Sequence, residues 1–277
     1  MKKYFCALSL IIAISIMYFA SCDKVEPPYK ETETENQGDT VRKILLEEFT
    51  GHQCPNCPNA STIAQQLKTY YGEQFILISI HAGELAEPDP YGTWSYDFTT
   101  FTGDDIYNTF PIGTSIPKGL ISRTDWGAAN FVLDANAWGT RIESIKNDTP
   151  KAIIEITNSY NTSTRMVNSA IECDALMDIT GTYKICAYLT EDSIVKPQQT
   201  QDSIAYHYIH RHVLRGSLNG TWGDTLLTGT TPKNAQFIKN CSITLNSEWN
   251  ENHCYVVAFI YDASTYEIIQ VEEKRVK

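Results

Sequence analysis

The chain has 277 residues, 42% of them hydrophobic, eight cysteines and a formal net charge of −11 at neutral pH. An acidic excess of this size repels phosphate backbones and excludes nucleic acid as a partner. The length from residue 41 onward suffices for two domains with cores of their own.

The first residues read as an export signal. Lys2 and Lys3 form a positive start, Tyr4 to Ala20 is nearly all apolar, and Phe19-Ala20-Ser21-Cys22 supplies small residues before a cysteine. The apolar run falls slightly short of the roughly 20 residues of a membrane span. It resembles the lipobox of bacterial lipoproteins, which implies cleavage after residue 21 and lipidation of Cys22. No later stretch is apolar for long enough to span a bilayer. Residues 22–40 carry six acids, Pro27-Pro28 and a Glu-Thr repeat. They cannot bury enough surface to offset their ordering entropy, so they read as an extended tether.

Between residues 41 and 148 strand and helix patterns alternate. Lys43 to Phe49 reads as a strand, about Pro55 to Tyr71 as a helix with Ala60, Ile63, Ala64, Leu67 and Tyr71 on one face, and Gln74 to His81 as a buried parallel strand. Trp94 to Phe110 suggests one or two short helices, Gly119 to Ser122 a strand, and Phe131 to Lys146 a last helix. This order predicts an α/β domain with a parallel sheet. Residues 149–277 contain seven strand candidates: Ala152 to Ile156, Met166 to Leu176, Tyr183 to Thr190, Tyr206 to Leu214, Phe237 to Leu245, Tyr255 to Tyr261 and Ile268 to Val271. Without a convincing helix, they predict an all-β, immunoglobulin-like sandwich.

Cys54-Pro55-Asn56-Cys57 falls between a strand and a helix. Unpaired amides at a helix start stabilise a thiolate, which favours disulfide exchange. A static disulfide fits the same spacing. Zinc would need two further ligands, of which His52 offers one at most. The remaining four cysteines, Cys173, Cys186, Cys241 and Cys254, lie in strand patterns and are candidates for structural disulfides in an oxidising compartment. A two-residue turn within Asp178 to Gly181 would set Cys173 directly opposite Cys186. Cys241 and Cys254 flank a polar loop, and all three connectivities stay open. His207, His210 and His212 crowd one segment, with His210 and His212 on one strand face. No further ligand stands out beside them, so no metal or other cofactor is expected.

The stretch from Glu48 to Cys57 resembles the thioredoxin superfamily. That resemblance implies Cys54 as nucleophile, Cys57 as resolving thiol and Glu48 as a buried proton relay. It also implies that Ile116-Pro117 forms a cis-proline loop against the cysteine pair; an ordinary trans turn is the alternative. Gln53 stands where that family has tryptophan, and Pro55-Asn56 departs from its usual Gly-Pro. Taken together, Phe49-Thr50-Gly51, the Cys-Pro-Asn-Cys-Pro run, Ile116-Pro117-Lys118-Gly119, His210 to Gly216 and Val256 to Asp262 resemble the outer membrane protein 28 lipoproteins across residues 41–277. This implies an outer-membrane lipoprotein with a thioredoxin-like domain followed by the β-rich one. Two functions follow: a thiol–disulfide oxidoreductase acting on envelope proteins, or a non-catalytic surface binding or adhesin-type lipoprotein that uses the first domain as scaffold. The membrane, through the N-terminal lipid, is the expected partner of either, together with protein thiol or disulfide substrates or surface ligands.

Overall fold

The computed structural model describes residues 40–277, which form one compact unit from Thr40 to Lys277. The export signal, Cys22 and nearly all of the tether lie outside the described residues.

Strand β1, Ile44–Thr50, is buried along its whole length. It runs parallel to β2, Phe75–His81, and antiparallel to β3, Lys118–Ile121, with the short β4, Val132–Leu133, beyond. Both faces of β1 are covered, which is why its sequence is a near-continuous apolar run. Period-2 alternation sends Ile44 and Leu46 to one face, where helices α1, Cys57–Tyr71, and α3, Ala135–Ile145, pack through Ala60, Ala64, Trp138 and Ile142. Leu45 and Phe49 point to the other face, against Ile106 and Phe110 in and beside α2, Phe101–Thr109. Thr100 caps α2, its hydroxyl oxygen accepting from Gly103 N at 2.9 Å. Glu47 and Glu48 follow the same alternation and are delivered to opposite faces, both with no exposed surface.

The rest of the chain is β-structure: β5, Ala152–Asn161; β6, Met166–Ala175; β7, Ile179–Glu191; β8, Ile194–Gln199; β9, Ile204–His210; β10, Val213–Ser217; β11, Asp224–Thr231; β12, Gln236–Thr244; β13, Cys254–Asp262; and β14, Ile268–Arg275. Nine strands form a single sheet in the order β14-β13-β7-β10-β2-β1-β3-β4, with β11 also on β7. Stretches 41–148 and 149–277 therefore share one sheet, joined where β10 lies parallel to β2 at Val213 and Ser79. Strands β12-β6-β5 form a second sheet that packs across a common core with β7, β13 and β14. The fold is mostly β with a few helices, and this part of it is a β-sandwich.

The turn expected around Asp178 to Gly181 does not form a hairpin. β6 pairs with β5 and β12, whereas β7 pairs with β11, β13 and β10. The chain crosses between sheets at residues 176–178, because long partners on both sides outcompete a local turn. Cys173 therefore sits opposite Ile154 and Phe237, and Cys186 opposite Phe259. All four of the expected structural-disulfide cysteines are free. Burial pushes the Cys173, Cys186 and Cys254 thiols up to about 12, which leaves them protonated and unreactive.

Candidate functional site

β1 ends at Thr50, and the turn after it carries the cysteine pair. Cys54 and Cys57 are disulfide-bonded, with Cα atoms 5.5 Å apart. Cys57 is the first residue of α1, with Pro58 in the helix's opening turn, where its missing N–H costs nothing. Cys54 lies just before that helix start, its N–H donating to Gly51 O at 3.0 Å. The peptide between Ile116 and Pro117 is cis. The Ile116 carbonyl oxygen lies 3.7 Å from Cys54 Sγ, so the two sequence-distant motifs meet.

Glu48 lies on the α1 side of β1. The Ser61 hydroxyl donates to its Oε1 at 2.8 Å and the Ser79 hydroxyl to its Oε2 at 3.3 Å. Burial pushes the carboxyl up to about 7, against those two hydrogen bonds, which hold it down. A carboxyl in that range can exchange a proton near neutral pH.

The site is closed by elements the sequence reading did not place there. β8 and β9 form a two-stranded hairpin, and residues 198–201 at its turn lie across the cysteine loop. Gln198 Nε2 donates to Gly51 O at 3.1 Å and to Cys54 O at 3.0 Å. Gln199 N donates to His52 O at 2.8 Å, and Gln201 Nε2 to Asn56 Oδ1 at 3.0 Å. From the other side Gln53 N donates to Leu85 O at 3.0 Å. Both cysteines are only 1% exposed. Lys196-Pro197-Gln198-Gln199 in β8 has no strand signature of its own; pairing with β9 makes it a strand.

Gly51 is required by this closure. A Cβ there would collide with the backbone carbonyl of Leu85. Gly51→Ala is expected to destabilise the protein by about 1–3 kcal/mol through forced displacement of that backbone, read as a lower urea midpoint at unchanged slope.

Beneath the hairpin is a cavity of about 460 Å³ bounded by α1, β1, β2 and β9, with Glu48, Cys57, His81 and His210 on its wall. His81 and His210 are buried and their ring centroids lie 5.6 Å apart, each against Phe98 at 4.4 Å. Burial holds His81 well below the usual histidine range, with His210 adding to the effect, and lowers His210 to about 4. Both are neutral at physiological pH. Neither His81 nitrogen, nor His210 Nε2, has a hydrogen-bond partner among the described residues. His212 does not share a face with His210 as expected. It has left-handed backbone (φ 52°) in the turn after β9, and its carbonyl accepts from Ser79 N. Among the described residues no group of three or more His, Cys, Asp or Glu side chains could hold a metal ion.

On the opposite face of β1, Glu47 forms a two-bond ion pair with Arg123, Nε to Oε2 at 2.7 Å and Nη2 to Oε1 at 2.6 Å. Arg123 is wholly buried, its guanidinium 5.1–5.8 Å from the ring centres of Phe259, Trp222, Phe110 and Tyr261. Burial works against that charge, but the Glu47 carboxylate outweighs it and raises the Arg123 pKa. The signal for this pair was the doublet of acids inside an apolar strand; the sequence did not say where the counter-charge would come from.

Residues 104–277 match the family model of outer membrane protein Omp28. The chain belongs to the outer membrane protein Omp28 family. Membership places the protein at the outer membrane, and among the described residues no helix is long and apolar enough to cross one. The chain is similar in fold to HBP35 of Porphyromonas gingivalis, at 17% identity and a TM-score of 0.66, covering 85% of this chain and 76% of that one. A protein from Agrobacterium tumefaciens aligns at 11% identity and a TM-score of 0.51, covering 86% and 96%. A domain of the outer membrane lipoprotein Omp28 from Porphyromonas gingivalis aligns at 18% identity over 46% of this chain and 89% of that one, with a TM-score of 0.33. No curated protein matches the chain.

Proposed function

We propose that this Omp28-family protein is a thiol–disulfide oxidoreductase of the cell envelope, held to the outer membrane by lipid on Cys22. Its redox centre is the Cys54–Cys57 pair in a thioredoxin-like arrangement, and the sandwich that follows is immunoglobulin-like. The observation that carries this reading is the convergence on one disulfide of a helix start and the Ile116-Pro117 turn, whose carbonyl lies 3.7 Å from Cys54 Sγ. Unpaired amides at the start of α1 stabilise a Cys54 thiolate, both as nucleophile and as leaving group. Glu48 exchanges the proton of Cys57, with which it shares a cavity wall. Pro117 belongs to the surface on which the substrate rests. No cofactor is needed, because the electrons pass between sulfurs.

The test is turnover. The protein is expected to catalyse thiol–disulfide exchange on an envelope-protein disulfide, and Cys54→Ser and Cys57→Ser are each expected to reduce the rate at least 100-fold. Unchanged turnover in Cys54→Ser would refute the proposal.

A second reading, a non-catalytic binding or adhesin-type lipoprotein with a static disulfide, is favoured by the 1% exposure of both cysteines. A reduction potential far below about −300 mV, as structural disulfides have, would select it.

A further inference from the structure

The closure of the cysteine loop raises a question of access. Cys54 is roofed by Gln198 and flanked by the Ile116 carbonyl, and it does not line the cavity beneath the hairpin; Cys57 does. The cavity that Cys57 lines measures about 460 Å³. Volumes of roughly 300–1,000 Å³ are those of small-molecule sites. The wall also carries what a small polar ligand requires. Beside the Glu48 carboxyl, the hydroxyls of Ser79 and Tyr208, both unpartnered nitrogens of His81 and the unpartnered Nε2 of His210 offer neutral donors and acceptors. Arg211, 42% exposed, contributes a positive charge, and Asp192 lies 3.3 Å from its guanidinium. Buried polar groups without partners are costly, and a ligand that satisfies them recovers that cost on binding.

From this arrangement we propose that the Cys54–Cys57 disulfide exchanges with a low-molecular-weight thiol that carries a carboxylate, of the size of cysteine or a short cysteine peptide, which enters the cavity under the β8–β9 hairpin and reacts at Cys57. The proposal rests on the redox reading and names its substrate class. The incoming thiolate attacks Cys57 Sγ, a sulfur–sulfur bond forms between them, and the Cys54–Cys57 bond breaks with its electron pair leaving on Cys54. The helix start favours that thiolate as leaving group. A second small thiol attacks the mixed disulfide at the small molecule's sulfur and releases the Cys57 thiolate. Two thiols are thereby oxidised to one small disulfide, the protein pair is reduced to the dithiol, and the two protons of the thiols end on Cys54 and Cys57. In the reverse direction Cys57 attacks the small disulfide and the Cys54 thiolate then attacks the mixed disulfide at Cys57 Sγ, so that with this substrate class the two cysteines exchange the order of action given them above. The carboxylate of the small molecule lies towards Arg211 throughout.

Single-cysteine variants of the mature chain separate the two sulfurs. With cystine as probe and peptide mapping by mass spectrometry, Cys54→Ser is expected to form its mixed disulfide on Cys57 at least ten times faster than Cys57→Ser does on Cys54. Ala205→Trp, which fills the cavity from β9, is expected to slow labelling of Cys57 at least tenfold in the Cys54→Ser background with the far-ultraviolet dichroism unchanged. Thr62→Trp on α1 serves the same purpose should that variant misfold. The oxidised protein is expected to be reduced by free cysteine at least ten times faster than by reduced, unfolded ribonuclease A at equal thiol concentration. Equal or faster labelling of Cys54, or reduction by the protein thiols at the same rate as by cysteine, overturns the small-thiol assignment and leaves the oxidoreductase reading standing. Absence of exchange with either reagent in the native protein overturns both.

Discussion

Glu47→Ala is expected to cost about 3–5 kcal/mol of folding stability, because it strands the Arg123 guanidinium in the core without its counter-charge. Both side chains have no exposed surface, so no water can take the place of the lost carboxylate. The four aromatic rings around Arg123 soften the loss, since a cation near a ring face is attracted to it, but they cannot supply the two short hydrogen bonds. Against a typical total of ~5–15 kcal/mol, that single change brings the chain close to unfolding. Arg123→Met alone is expected to be similarly damaging, as it leaves a buried carboxylate. The double variant Glu47→Met, Arg123→Met is expected to be less destabilised than either single one, because an apolar pair of similar volume carries no desolvation cost. Urea titration of the four proteins measures the coupling. Single variants that each cost under about 1 kcal/mol would show that the pair contributes little.

Glu48→Gln is expected to change the pH profile of stability by a comparable amount. The folded protein holds the Glu48 proton up to about pH 7, whereas the unfolded chain releases it near the ordinary value of 4.5. Between those two values the folded state binds more protons, so stability falls as pH rises, by roughly 3 kcal/mol over the window, and stays reduced above it. The amide has no proton to lose, so Glu48→Gln is expected to match the wild type near pH 4.5 and to exceed it by that amount at pH 8. His81 and His210 act in the opposite sense. Burial depresses both, so the unfolded chain takes up their protons first and stability falls as pH drops below about 6.5. The wild type is therefore expected to show a stability maximum, and Glu48→Gln a plateau above pH 6.5. Equal slopes for the two proteins between pH 5 and 7 in thermal melts would rule out the Glu48 contribution.

How far the sequence carried depends on whether a signal was local. β1, α1 and β2 were expected within two residues of where they lie, because continuous apolar runs and a helical stripe are written in adjacent residues. The meeting of Cys54 with the Ile116-Pro117 turn was legible only through resemblance; nothing in either segment specifies the other. Non-local pairing was where local rules failed. The candidate Tyr206 to Leu214 proved to be two strands broken at His212, whose backbone turns left-handed, so that β10 joins β2 while β9 turns back to β8. A hairpin rule applied to Asp178 to Gly181 placed Cys173 against Cys186, but the crossing between sheets separates them. β11, Asp224–Thr231, is rich in threonine with few apolar residues and carries no local strand signal; its place is set by the long β7 alongside it. In the sequence His207, His210 and His212 group only with one another, in a single strand-like segment. The approach of His81 to His210, with Phe98 against both, joins residues far apart in sequence.

The position of β10 between β2 and β7 also governs the order in which the molecule can be made. Until residues 212 and 213 have left the ribosome, β2 lacks the partner it meets there, and the Ser79 N–H has no His212 carbonyl to donate to. Open margins of this kind recruit other chains. A nascent or clipped product that stops before β10 is thus a candidate for strand exchange with its neighbours, and export in an unfolded state, with folding delayed until the whole polypeptide is across, removes that hazard.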